Sequence, residues 1–68
     1  MSEIDSRLKF YRHKLATLIE NVKDDVELAK KVDTKKELTL AQRHLEDARM
    51  RIGVAIAYEN EQDPLGQE

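Results

Sequence analysis

Apolar side chains recur at alternating spacings of four and three residues in two separate runs. The first is Ile4, Leu8, Tyr11, Leu15, Leu18 and Val22, and the second is Leu38, Ala41, Leu45, Ala48, Ile52 and Ala55. That period puts each run along one side of an α-helix and does not suit a strand, whose sides alternate at every residue. The chain is thereby confined to all-α architectures. Ser2 followed by Asp5 gives a start signal, and Val26 and Ala29 carry a shifted stripe past Asp25, which predicts a first helix over roughly residues 3–31. Thr34 with Glu37 reads as a capping box opening a second helix over roughly residues 35–59, with Val32-Asp33-Thr34 as the tight connection. Two long helices joined by so short a turn lie antiparallel, so residues 1–60 are expected to form a helical hairpin domain. Pro64 and Gly66 end the periodicity, and residues 61–68 are expected to be a mobile tail.

A hairpin of this size needs help to be stable. The chain has 68 residues, and below about 70–80 residues one core rarely supplies more than about 3–5 kcal/mol. It has no cysteine for disulfides or a zinc-thiolate site, which leaves self-association. The stretch HLEDARMRIGVAIAY, residues 44–58, shows where. Lys36, Thr39, Arg43 and Glu46 lie opposite the main stripe of the second helix as a solvated back, but further along the same back stand Met50, Val54 and Ala57. One hairpin partner covers one stripe, so the apolar half of the back calls for another chain. Gly53 costs roughly 1 kcal/mol relative to alanine inside a helix and stands four residues before Ala57. That small pair allows close approach of two helix backbones. Met50, Gly53, Val54 and Ala57 are therefore the expected interface of a homo-oligomer.

The residues needed for catalysis are not arranged for it. Serine occurs only at positions 2 and 6, both suited to helix starts, and neither lies in a nucleophile elbow. Two glycines in the whole chain make neither a phosphate loop nor a dinucleotide fingerprint. His13 and His44 lack metal-ligand spacing, and Asp24 and Asp25, as helix neighbours, point about 100° apart. No catalytic residue, metal ligand or cofactor is expected, and the protein is read as a binder. A charged start in place of an apolar leader, and no apolar run of about 18 residues, point to a cytoplasmic protein without a membrane role. A net charge of −2 with 38 % charged residues argues against DNA binding by the whole surface.

One segment departs from an ordinary solvated helix. Arg7, Lys9, Arg12 and Lys14 fall in RLKFYRHKLATLI, with no acid from Ser6 to Ile19. Cations near a helix start oppose the macrodipole, at a typical cost of a few tenths of a kcal/mol each, unless an anion is present. Phe10 and Tyr11 interleave with them and offer flat faces to a base. On the second helix Lys36, Arg43, Arg49 and Arg51 add a second cationic group that assembly could bring near the first. The candidate ligand-binding residues are thus Arg7, Phe10, Tyr11, Arg12, Lys14, Lys36, Arg43, Arg49 and Arg51, and the ligand they suit is an anionic nucleotide.

The run KKELTLAQRHLEDARMRIGVAIAYENE, residues 35–61, resembles the signature of a small phage-protein family through Glu37, Leu38, Thr39, Leu40, Ala41, Leu45, Glu46, Ala48, Met50, Ala55, Ile56 and Ala57. Arg51 stands where that family has tryptophan. The family is the hairpin domain shared by phage anti-CBASS and anti-Thoeris sponges. The resemblance covers the second helix well and the first poorly. It implies a homohexamer that holds cyclic di- or trinucleotides, or cyclic ADP-ribose isomers, between protomers without cleaving them. Two other classes suit the same residues: a small oligomeric hairpin that binds structured RNA, and a protein adaptor docking through the apolar end of the second helix.

Overall fold

The computed structural model describes residues 3–60, and over them the chain is a two-helix antiparallel hairpin. Helix α1 runs Glu3–Leu28 and helix α2 runs Val32–Glu59. Glu3 and Asp5 in the first turn of α1, and Asp33 in that of α2, place carboxylates at the positive ends of the helix dipoles. The connection is residues 29–31, which corrects both expected boundaries. α1 closes with the Ala29 amide donating to the Asp25 carbonyl at 2.9 Å. Lys31 is extended (φ −94°, ψ 138°) and is the N-cap of α2, its carbonyl accepting from the Lys35 amide at 3.1 Å. No side chain caps this end. Thr34 lies inside the first turn, so the expected Thr34–Glu37 capping box does not form, and Val32-Asp33-Thr34 belongs to the helix. Ser2 and the tail over 61–68 fall outside the described residues.

At about 100° per residue, positions seven apart lie on nearly one line along a helix. On α1 two such lines form the seam with α2. One holds Asp5, Arg12, Ile19 and Val26, and the other holds Leu8, Leu15, Val22 and Ala29, all four half-buried. Ile19, 6 % exposed, is the one buried hydrophobic side chain among the described residues. On α2 the seam lines are Leu38, Leu45 and Ile52, and Gln42, Arg49 and Ile56; Arg49 alone of these six is exposed. A third line on α1, Ile4, Tyr11 and Leu18, belongs to the expected stripe yet remains 41, 45 and 48 % exposed. The apolar stripe and the seam share the Leu8, Leu15 and Val22 line, and their centres are offset by about 50°, half of one residue's rotation.

The open end of the hairpin is tied by polar groups. Asp5 is fully buried. Its Oδ1 accepts from Asn60 Nδ2 at 2.9 Å, and its Oδ2 lies 3.0 Å from Lys9 Nζ. Asn60 is the C-cap of α2; its backbone amide donates to the Ile56 carbonyl at 3.1 Å, as does Nδ2 at the same distance. Hydrogen bonding from Lys9, then from Asn60, holds the Asp5 carboxyl below its ordinary pKa of 3.8. This pairing sets Asp5 level with Asn60, and therefore Arg12 near Gly53 and Ile19 near Glu46.

Candidate anion-binding cleft

Arg12 stands on the same line as buried Ile19, and Arg49 on the same line as half-buried Ile56. Each occupies a seam position where an apolar residue would close the core. Both are too long and too polar to stay in the seam, so they emerge on one side of it. The register set by Asp5 and Asn60 puts the two at neighbouring heights, and they meet in two adjoining hollows. The larger, about 540 Å³, is lined by Arg12, Ile19, Glu20 and Lys23 from α1 and by Glu46, Arg49, Met50, Gly53 and Val54 from α2. The smaller, about 310 Å³, is lined by Lys9, Arg12, His13, Ala16 and Arg49. Ala16 is its one apolar lining residue, and every other lining residue is basic.

Charge pairing separates these cations. Lys9 pairs with Asp5, and Lys23 lies 4.0 Å from Glu20. Neither Arg12 nor Arg49 forms an ion pair with any described residue. Two guanidiniums from facing helices, each a planar fork of donors, thus border one hollow that contains no carboxylate. Such a pair repels itself unless an anion lies between, and it suits phosphate oxygens, which accept bidentate donation. Gly53 opens the larger hollow: a Cβ built on it meets nothing within 4 Å.

The candidate ligand residues divide between two places. Arg7, Phe10 and Tyr11 border a separate hollow of about 510 Å³ with Glu3 and Ser6. Phe10 and Tyr11 meet edge to face, with centroids 6.2 Å apart and rings at 64°, and Lys14 Nζ sits 5.3 Å over the Phe10 ring. Tyr11 and Arg12 are neighbours in sequence and so point about 100° apart. With the seam between them, the aromatic hollow and the arginine cleft lie on different sides of α1. Lys36, Arg43 and Arg51 are exposed and line none of these three hollows.

Of the expected interface residues, Met50, Gly53 and Val54 line the larger hollow, and Ala57 lines neither. Met50 is 58 % exposed, but Val54 and Ala57 are half-buried within the single hairpin. Part of the surface of Val54 and Ala57 is thus already covered within one hairpin. Sequence reasoning passed over His13, Ala16 and Ile19 as site residues. The spacing of seven from Arg12 to Ile19 was the available signal, since it places Arg12 beside the seam. Among the described residues no group of three His, Asp or Glu could hold a metal ion, and no helix is long and apolar enough to cross a membrane. No family model, curated protein or solved structure matches the chain.

Proposed function

We propose that this protein is a phage-encoded sponge, a homo-oligomer that captures anionic cyclic nucleotides in the host cytoplasm and holds them unchanged, so that a bacterial CBASS- or Thoeris-type immune signal is withdrawn. The observation that carries this is the convergence of Arg12 and Arg49, from opposite helices and without carboxylate partners, on one hollow with Lys9 and His13. Phosphate oxygens take the guanidinium forks, and the apolar wall of Met50, Gly53 and Val54 in the adjoining hollow receives the base or ribose. The likeness of residues 35–61 to the sponge family supplies the ligand class, cyclic di- or trinucleotides or cyclic ADP-ribose isomers, and the expectation of a hexamer. Arg7 and Phe10, in the aromatic hollow on another side of α1, offer a second contact to a base.

Capture is tested by recovery. The protein is loaded with a cyclic dinucleotide, freed of excess ligand, heated and precipitated, and the supernatant is analysed by chromatography. Intact cyclic nucleotide is expected; linear product indicates a nuclease and ends the sponge proposal. The exposed Phe10–Tyr11 pair beside Arg7 favours one other class, binding of a structured RNA through stacking on its unpaired loop bases. Tight binding of an RNA stem-loop, with no cyclic nucleotide retained, selects it.

A further inference from the structure

We infer that the side of the hairpin opposite the arginine cleft is the contact between two copies of this chain, joined as a four-helix bundle. The inference stands on packing and does not depend on what the cleft binds. Three observations carry it.

The first is the offset between stripe and seam. Ile4, Tyr11 and Leu18 on α1 fall to one side of the seam, and Ala41, Ala48 and Ala55 fall to the same side on α2, since each row precedes its helix's arginine-bearing seam line by one residue. In an antiparallel pair, equal rotation from the seam leads to the same face. Both apolar stripes are thus turned toward one face of the hairpin. Helices that served only each other would aim their stripes at the seam; stripes tilted to a common face aim at the centre of a four-helix bundle.

The second is shape. The face is bulky along α1 and small along α2. A two-fold axis parallel to the helices lays each copy's α1 over the other's α2 and makes every neighbouring helix antiparallel. The Asp5–Asn60 register then sets Leu18 of one copy at the height of Ala48 of the other, and Tyr11 at the height of Ala55. Bulky residues meet alanines in both directions, the self-complementarity that a two-fold interface requires.

Extent is the third. The Cα trace measures 48 × 24 × 11 Å, with a radius of gyration of 15.2 Å against the roughly 11 Å of a compact domain of this length. One layer of helices has no inside, and domains bury their apolar faces between at least two layers. A face of this length and width exceeds the roughly 800 Å² per partner of a stable interface. The expected contact through Met50, Gly53, Val54 and Ala57 would occupy the other face, so the paired hairpin leaves the arginine cleft open, and higher assemblies can be built from such pairs.

The natural chain has no cysteine, which makes cross-linking clean. Single-cysteine chains Leu18→Cys and Ala48→Cys are mixed, unfolded, refolded together and oxidised. A control mixture uses Glu20→Cys and Met50→Cys, on the cleft side. The first mixture is expected to yield mixed disulfides at least about tenfold faster than the control, since juxtaposed thiols react at effective concentrations near millimolar. Sedimentation of the unmodified chain should give a mass that is an even multiple of 7.9 kDa. A helical monomer by sedimentation and circular dichroism overturns the inference. So does preferential cross-linking of the control pair, which would place the contact on the cleft side.

Discussion

Ile19 and Leu18 are adjacent, and in a lone hairpin they should differ sharply in what they contribute to stability. Ile19 is 6 % exposed and Leu18 is 48 % exposed. Truncating a buried isoleucine to alanine costs about 2–5 kcal/mol, with the larger values where a closed cavity remains. Ile19 borders an open cleft, so water can enter the space left, and about 2–3 kcal/mol is the expected loss. Complete burial of a leucine is worth about 1.5–3 kcal/mol, so a half-exposed Leu18 truncated in a monomer should cost only about 1 kcal/mol. If a second copy covers that face, Leu18→Ala should instead lose about 2–4 kcal/mol, matching or exceeding Ile19→Ala. The extra loss of about 1–3 kcal/mol corresponds to a Tm lower by roughly 4–24 °C in a domain this small. Thermal unfolding followed by circular dichroism at two protein concentrations tests this. Tenfold dilution of the paired form should itself lower stability by about 1.4 kcal/mol. A Leu18→Ala loss below about 1 kcal/mol, with a Tm independent of concentration, refutes the layered packing.

Three further outcomes follow from the same geometry. Arg12→Ala and Arg49→Ala should each weaken cyclic-nucleotide binding by roughly 10- to 150-fold in calorimetric titration, from about 1.5–3 kcal/mol per charge-assisted hydrogen bond; Arg43→Ala, outside the cleft, should leave Kd unchanged. Gly53→Ala should raise Tm by about 4–8 °C, since a helical glycine costs about 1 kcal/mol and the added Cβ meets nothing; a lowered Tm would mean that another backbone packs on Gly53. The Asp5 carboxyl is held below 3.8 by Lys9 and Asn60, so its contribution is complete above that pH and is lost as pH falls through the depressed folded value. Protection of the Asn60 amide, taken relative to the free-peptide exchange rate at each pH, should accordingly fall as pH drops below 3.8 in the natural protein, and Asp5→Asn should remove most of that acid dependence.

The helices themselves were legible because their cause is local. Spacings of four and three and the lack of any glycine or proline before Gly53 dictate two helices and a hairpin. The turn was misplaced by three residues because Lys31 caps through backbone conformation alone, which no residue type advertises, while Thr34 and Glu37 resemble a cap they do not make. The Asp5–Asn60 hydrogen bond joins residues 55 apart and sets the register of the pair. Without that register, Arg12 and Arg49 are only two among several cations. The basic run was visible in the sequence, but its division into an aromatic side and an arginine cleft was not, because it depends on where the seam cuts α1. Tyr11, read as one stripe residue among six, proves to be on the part of the stripe that α2 leaves uncovered.

The most direct measurement of the capture proposal is native mass spectrometry of the full chain with a panel of cyclic dinucleotides, cyclic trinucleotides and cyclic ADP-ribose isomers, because it reports assembly and ligand together. The expected spectrum shows a homo-oligomer that retains at least one of these cyclic species at unaltered mass, with retention lost in the Arg12→Ala, Arg49→Ala double variant while the oligomer persists. An oligomer that retains none of them, or a double variant that binds as the natural chain does, contradicts the account.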